Sequence, residues 1–122
     1  MRMCWSTTYV SSMEKSLSFY QEVLGLTLNR RYTTPEGAEI AFLSDGPMSE
    51  VELIAAPGRP PYAGSGISLG FVVNSLEAEL ERLPKLGVPI EKGPFTVGGG
   101  VRFFFVKDPD GLDIQLVDLP KL

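Results

Sequence analysis

The sequence contains no histidine and a single cysteine, Cys4. Histidine is the commonest general base and a frequent ligand of zinc and iron, so its absence excludes Ser-His-Asp catalysis and removes the usual ligands of a metal centre. A single cysteine also excludes an intrachain disulfide. Because no histidine is present to act as a base, we interpret Cys4 as a small packing residue near the N-terminus and not as a nucleophile.

Long hydrophobic runs are missing as well. No stretch approaches the ~18 apolar residues of a membrane span, and the first residues lack the apolar core of a signal peptide. The net charge of −4 argues against nucleic acid or an anionic membrane as the main partner. We therefore expect a cytoplasmic protein whose partner is neither a nucleic acid nor a membrane.

The two halves of the chain resemble each other when one is shifted by 63 residues. The shift places Gln115 on Glu52, Ile114 on Val51, Asp108 on Asp45, Val73 on Val10 and Ser68 on Trp5. This pattern predicts a diverged duplication of a unit of about 60 residues, roughly 1–60 and 64–122. The 122 residues suffice for one domain. We expect a single domain over residues 1–122, with module 1 at 1–57, a Pro- and Gly-rich linker at 58–66 and module 2 at 67–122.

Each module is predicted to have the order βαβββ. In module 1, alternation and helical periodicity predict a strand over 5–10, a helix over 13–24 that ends at Gly25, and strands over 26–33, 39–44 and 51–55. In module 2, they predict strands over 67–73 and 88–91 around a helix over 76–86, in which Pro84 should end or bend the last turn. Gly98, Gly99 and Gly100 are typical of a mobile rim loop, because a strand and not a helix follows them.

The end of the chain predicts a strand, a turn and a last strand. Residues 103–106 form an apolar run, residues 108–111 supply turn chemistry, and Ile114 and Leu116 alternate with Gln115. These elements predict an α+β fold in which two βαβββ modules form an open cup-shaped sheet with the helices outside. The face of Val10, Val51, Val73 and Ile114 should meet the helices. The opposite face should line the cup with Trp5, Thr7, Tyr9, Glu52, Ser68, Gly70, Val72 and Gln115.

Three stretches, residues 13–20, 24–26 and 108–116, give the chain a family resemblance. It resembles the vicinal oxygen chelate superfamily, which includes glyoxalase I, extradiol dioxygenases, fosfomycin-resistance enzymes and bleomycin-resistance proteins. The resemblance implies metal-ligand positions at Trp5, Glu52, Ser68 and Gln115. Of these only Glu52 is a usual ligand, although Gln115 could donate a carbonyl oxygen. We therefore expect no metal and no cofactor.

The resemblance also implies that Phe103 and Phe105 point into the cup. The predicted ligand-binding residues are then Trp5, Thr7, Tyr9, Glu52, Ser68, Phe103, Phe105 and Gln115. Such a lining favours a small apolar, aromatic or cationic molecule, as in a bleomycin-resistance-type protein that sequesters its ligand.

Structural roles remain open for the same residues. Trp5 would be either a plug in a lost metal site or a platform for a ligand, and Phe103 and Phe105 would be either core or ligand contacts. Glu52 would form an ion pair with Arg30 or Arg31, or act as a general base.

Three functions are consistent with this pattern. The first is a metal-free small-molecule binding protein. The second is a glyoxalase-like lyase, isomerase or dioxygenase that uses Glu52, with or without a metal. The third is a domain that acts through partners, most simply as a homodimer, which the resemblance also implies.

Overall fold

The structure, a computed structural model, describes residues 1–120 and divides into two compact units. The first unit is Met1–Ala63, and the second begins at Gly64. This boundary falls within the stretch 58–66 that the sequence indicates as a linker. Residues 121 and 122, the end of the predicted second module, lie outside the described residues.

The first unit contains one helical segment and four strands. In chain order these are β1 (Trp5–Tyr9), α1 (Met13–Ser18) with a π-helical turn (Phe19–Val23), β2 (Thr27–Thr33), β3 (Glu39–Ser44) and β4 (Glu50–Ala55). The strands form one open sheet in the order β1-β4-β3-β2, in which β1 is parallel to β4 and the other pairs are antiparallel. Ser12 begins α1, because its hydroxyl accepts a hydrogen bond from the Lys15 backbone N–H at 3.2 Å.

The second unit repeats this arrangement. Its elements are β5 (Ser68–Val72), α2 (Leu76–Lys85), β6 (Lys92–Val97), a 3₁₀ turn (Gly98–Gly100), β7 (Val101–Lys107) and β8 (Asp113–Asp118). The sheet order is β5-β8-β7-β6, in which β5 is parallel to β8 as β1 is to β4. The α+β fold with a duplicated βαβββ module is therefore confirmed, and neither sheet closes on itself.

Strand register confirms the duplication residue by residue. In the first sheet Thr7 lies opposite Glu52, and in the second Gly70 lies opposite Gln115, each 63 residues later. Because strand side chains alternate between two faces, an unchanged register places equivalent residues on equivalent faces. The 63-residue shift therefore identifies which positions of the two sheets correspond.

Each sheet buries one of its faces. In the first unit Val10, Val51 and Leu53 are buried, and β4 contacts α1. In the second unit Phe104 and Ile114 have no exposed surface, and β8 contacts α2. Burial of such side chains is the main favourable term in folding. The predicted helix-facing residues thus prove buried, except for Val73, which follows β5 and is half-buried.

The helical segment predicted over 13–24 changes its hydrogen bonding at Phe19. The Leu24 backbone N–H donates to the Phe19 carbonyl at 3.1 Å, which is the five-residue spacing of a π-helix. A π-helical turn has more residues per turn, so adjacent residues point in more similar directions. Phe19 and Tyr20 are accordingly both buried. Gly25 follows with φ of +74°, and the helix end predicted there is confirmed.

The prediction of a strand over residues 88–91 is wrong. The strand that pairs with β7 is β6, which starts at Lys92. Pro89 has no N–H for a strand ladder, and the Val88 N–H bonds instead to the Leu83 carbonyl at 3.0 Å. Pro94 is tolerated inside β6 because this strand lies at the edge of its sheet.

Two smaller predictions concern Pro84 and Cys4. α2 ends at Lys85, one residue after Pro84, as the loss of a backbone donor leads one to expect. Cys4 is exposed, so its predicted packing role is wrong. Over residues 1–120, neither helix has the length and apolar character needed to cross a membrane.

Candidate ligand-binding site

One face of the first sheet carries the polar and aromatic side chains of β1. Trp5 and Thr7 are exposed and Tyr9 is half-buried, whereas the alternate residue Thr8 is buried. Thr7 and Glu52 are side by side because β1 and β4 pair in parallel register. The Thr7 hydroxyl donates a hydrogen bond to Glu52 Oε1 at 2.5 Å. The sheet therefore brings the predicted acid and a hydroxyl donor into direct contact.

Glu52 does not form the predicted ion pair with Arg30 or Arg31. Arg30 bonds instead to Glu50 Oε1 at 2.9 Å, and Arg31 pairs with acids on the opposite face. Glu50 and Glu52 both lie on β4, across β3 from Arg30, and the Arg30 side chain extends over Phe42 to Glu50. Glu52 is 9% exposed, and within the first unit its hydrogen-bond partner is Thr7. Among the described residues of the first unit, no cation forms an ion pair with this buried carboxylate.

Arg31 has a structural role. Its guanidinium donates to Glu14 at 2.6 Å and to Glu39 at 3.3 Å. These hydrogen bonds, the one to Glu14 foremost, raise the pKa of Arg31 above its usual value. Since Arg30 and Arg31 are consecutive in β2, they point to opposite faces of the sheet. Arg31 is therefore a matched control for any role of Arg30.

Trp5 forms the exposed edge of an aromatic cluster. Trp5 is 45% exposed, and its indole contacts the buried Phe42 ring edge-on, with 5.1 Å between ring centroids. The Arg30 guanidinium lies over the same Phe42 ring at 4.1 Å. At the other end of β1, the Arg59 guanidinium lies over the Tyr9 ring at 4.2 Å. This face therefore combines aromatic surface with cationic and anionic groups.

The second sheet has an aromatic face of its own. Phe103 and Phe105 are half-buried and contact each other at 90°, with 5.8 Å between centroids, and Phe95 lies 5.6 Å from Phe103. Phe105 is opposite Gln115 in the register of β7 and β8. Phe104 has no exposed surface and points to the other face. Phe103 and Phe105 therefore share a face with Gln115, as the resemblance implies.

Gly70 leaves space above Gln115. A side chain added at Gly70 would meet Gln115 Oε1 at 3.5 Å. The absent side chain therefore leaves the Gln115 amide next to bare backbone. Ser68 is exposed at the start of the same strand. The structure thus groups four predicted site residues in each unit: Trp5, Thr7, Tyr9 and Glu52 in the first, and Ser68, Phe103, Phe105 and Gln115 in the second.

A row of four residues crosses each sheet at equivalent positions. In the first sheet the row is Thr7, Glu52, Phe42 and Arg30. In the second sheet the row is Gly70, Gln115, Phe105 and Lys92. Lys92 Nζ lies 5.0 Å from the Phe105 centroid, the counterpart of Arg30 over Phe42. Both rows therefore place a phenylalanine between an oxygen acceptor and a cation.

The donor set does not fit a resident first-row metal. The four positions that the family resemblance gives to ligands hold Trp5, Glu52, Ser68 and Gln115, which together supply one carboxylate and one amide. Zinc and its neighbours need several nitrogen, sulfur or carboxylate ligands. Among residues 1–120, no group of three or more cysteine, aspartate and glutamate side chains is arranged to hold an ion.

The sequence interpretation missed Glu50, Phe42 and Arg30 as members of this face. Glu50 and Glu52 are two residues apart in β4, so the alternation of strand side chains places both on one face. The alternation within β3 likewise indicates the face of Phe42, so both residues could have been predicted from the sequence. The partner of Arg30 was not predictable, because the register of β2 shifts between Leu28 and Arg30. Such irregularities move every later residue relative to its neighbour strand.

Comparison with known proteins identifies the family. The sequence pattern described as the Glyoxalase/Bleomycin resistance protein/Dioxygenase superfamily matches residues 5–116. The chain belongs to this superfamily. Since the match spans both units, the duplicated module is the family's fold and not a local likeness.

Relatives of the chain carry different names. The lactoylglutathione lyase of Escherichia coli O157:H7 is 32% identical over 127 residues, which cover 97% of this chain and 93% of that protein. Uncharacterized protein YwbC of Bacillus subtilis (strain 168) is 34% identical over 107 residues, covering 84% and 85%. Among solved structures, the trypanothione-dependent glyoxalase I of Leishmania major superposes with a TM-score of 0.81 at 26% identity, covering 97% of this chain and 86% of that one.

Proposed function

We propose that this glyoxalase-superfamily protein binds a small planar molecule without a resident metal. The observation that carries the proposal is the face of the first sheet, which carries both an exposed tryptophan, Trp5, and a buried carboxylate, Glu52. Trp5 keeps nearly half of its surface exposed although Phe42 lies beside it. Binding sites commonly combine aromatic surface with a few placed polar groups. Trp5 and Glu52 supply both.

The exposure of Trp5 favours a role as a surface for ligand stacking over a role as a filler of a lost metal site. A side chain that fills a vacated metal site would be enclosed, and its polar N–H would find a partner. Trp5 is instead 45% exposed. An aromatic ligand stacked on this ring would bury apolar surface that the free protein leaves in water.

Glu52 gives the ligand a polar anchor. Thr7 occupies Oε1, so Oε2 remains to accept a hydrogen bond from a ligand. Hydrogen bonds to an ionised carboxylate are about twice as strong as neutral ones. The ligand therefore carries a donor group, such as an amine or a hydroxyl, beside its planar part. In the second unit, considered by itself, we propose Ser68, Phe103, Phe105 and Gln115 as ligand-binding residues.

A glyoxalase-like lyase is the second candidate. Relatives named lactoylglutathione lyase cover nearly the whole chain at 32% identity, and Glu52 is the one carboxylate at the family's ligand positions. In that case Glu52 would act as a general base, for which a buried carboxylate close to a hydroxyl is suited. Turnover of lactoylglutathione separates this candidate from a binding protein.

We expect the purified protein to contain no stoichiometric metal. Added Ni²⁺, Zn²⁺, Mn²⁺ or Fe²⁺ should leave its melting temperature unchanged, since a metal that binds only the folded state must raise it. Elemental analysis and thermal melts measure this, and incubation with lactoylglutathione should leave the compound intact. The contrary result would be bound metal that disappears in Glu52→Ala but persists in Glu14→Ala, the exposed control. Turnover without metal would select the lyase.

We also infer that two copies of the chain associate. An apolar row crosses the second sheet through Val72, Val117, Phe103 and Phe95. This row lies on the face of the proposed ligand contacts and shares Phe103 with them, so a second copy docked there would lie beside the ligand. Val72 is 66% and Phe95 45% exposed, and β6 is an edge strand whose residues are all exposed. Exposed edges and apolar patches of this kind mark association surfaces.

We expect sedimentation velocity to give the mass of a dimer at micromolar concentration. Phe95→Lys should shift the protein to a monomer, because it places a charge in the apolar row. Leu86→Lys, at an exposed apolar residue after α2, is the control and should remain a dimer. A monomeric unaltered protein would contradict this inference.

A further inference from the structure

A recess of about 340 Å³ opens beside the Trp5 ring, at one end of the first sheet. The charged side chains that line it are two cations, Arg2 and Arg30, and one acid, Glu50. The lining therefore has an excess of positive charge on a chain whose net charge is −4. Opposite charge in a partly enclosed site attracts small ions more strongly than an open surface does.

The Arg30 guanidinium keeps N–H donors that can bind a ligand. Its NH2 group bonds to Glu50 Oε1 at 2.9 Å, and within the first unit its side chain makes no other hydrogen bond. A guanidinium has five N–H donors in a rigid fork that matches a carboxylate. The Arg30 side chain is 51% exposed, so the remaining donors are accessible from solvent.

Glu50 forms an ion pair with Arg30 and offsets one of the two cations, so the lining keeps a net positive charge through Arg2. The Asn29 amide donates to Glu50 Oε2 at 3.0 Å, while Arg30 holds Oε1. Both carboxylate oxygens thus have partners, and the Glu50 side chain is only 17% exposed. Phe42 supports the guanidinium from below at 4.1 Å. The free edge of Arg30 is held in one orientation beside the Trp5 ring.

We propose that the ligand of the first unit is a planar aromatic carboxylate, whose carboxylate binds to the free edge of Arg30 and whose ring stacks on Trp5. This assignment rests on the proposed binding function and adds the charge of the ligand. Arg2, which lines the same recess, adds attraction for the anion. A donor group elsewhere on the same molecule would reach Glu52.

The second unit supports the assignment independently. Its equivalent row places Lys92 over Phe105, with Gln115 on the other side of the ring. A phenylalanine between a cation and an acceptor therefore occurs twice, although the residue types have changed. This pattern fits a ligand with an anionic group and a donor group on one planar body.

The experiment compares three probes with one ring and different charge: 2-naphthoate, 2-naphthamide and 2-naphthylmethylammonium. The indole ¹H–¹⁵N resonance of Trp5, the sole tryptophan, reports binding at the platform, and calorimetry gives the affinity. We expect naphthoate to bind at least about tenfold more tightly than naphthamide, which corresponds to about 1.4 kcal/mol. The cationic probe should bind more weakly than naphthoate.

Two arginine variants test which cation binds the carboxylate of the probe. Arg30→Gln should remove the preference for naphthoate over naphthamide, because the affinity for naphthoate should fall by more than the affinity for naphthamide. Arg31→Gln removes the same charge from the opposite face and should retain the preference. Thermal melts of both variants verify folding, and the probe series on the unaltered protein holds even where a variant fails to fold.

The outcomes separate the two proposals. Equal affinity for all three probes, or tighter binding of the ammonium, overturns the carboxylate assignment and leaves the binding function in place. If Arg31→Gln loses the preference for naphthoate over naphthamide, the assignment to Arg30 is overturned. The same holds if Lys92→Gln loses this preference while Arg30→Gln retains it. Absence of binding by every probe up to millimolar concentration overturns both.

Discussion

Replacing Phe104 by alanine should lower the free energy of unfolding by about 3 to 5 kcal/mol. The ring has no exposed surface and lies on the buried face of β7, so its removal leaves a cavity as well as losing apolar burial. Leu116 is opposite Phe104 on β8, and the pairing of β7 with β8 restrains the strand from collapsing into the space. Urea denaturation followed by far-ultraviolet circular dichroism measures the loss.

The adjacent residue supplies the control. Phe103 is in the same strand but on the half-buried face, so Phe103→Ala should cost clearly less than Phe104→Ala. Phe104→Leu should fall between the two, because it retains most of the apolar volume. Equal losses for Phe103→Ala and Phe104→Ala would show that the two faces of the second sheet are not differently buried.

The second large effect concerns the turn between β7 and β8. Asp108→Ala should cost about 2 to 4 kcal/mol, because hydrogen bonds to a charged group contribute about 1.5 to 3 kcal/mol each. The Asp108 carboxylate is buried and accepts hydrogen bonds from the backbone N–H groups of Asp110 and Leu112, each at 2.9 Å. Alanine would leave the buried Leu112 N–H without this acceptor. Chemical denaturation of the variant measures the cost.

The duplication offers a matched control for this turn. Asp45 is the equivalent of Asp108 in the first unit, but its side chain is exposed. Asp45→Ala should therefore change stability by no more than about 0.5 kcal/mol. Asp108→Asn keeps one acceptor oxygen and should cost less than Asp108→Ala. If the alanine variants at positions 45 and 108 were equally stable, the hydrogen bonds of Asp108 would not be responsible.

Much of the fold follows from local patterns. The 63-residue repeat, the alternation in β1 and β8, and the Asp-Pro-Asp-Gly turn predicted the βαβββ order and the faces on which Trp5, Glu52 and Gln115 lie. These predictions were confirmed because strand alternation has a period of two and is fixed along the chain. The misplaced strand at 88–91 shows the limit, since an edge strand accepts glycine and proline that rule out a central one.

The candidate site was only partly predictable. Residue types indicated which positions share a face, but not that Arg30 would pair with Glu50 while Glu52 pairs with Thr7. That choice depends on the register of β2 against β3, which shifts at a bulge. The recess beside Trp5 also depends on the register of β2 against β3, because this register places Arg30 where Glu50 and Phe42 orient it.

The family, the duplication and the residue types at the implied ligand positions can be read from the sequence, because each depends only on which residue occupies which position. The exposure of Trp5, the burial of Glu52 and the orientation of Arg30 depend on how the strands pack in three dimensions. Exposure and pairing arise from contacts between strands far apart in sequence, such as Thr7 with Glu52. No local period encodes such contacts, since they are set when separate strands pack at one register.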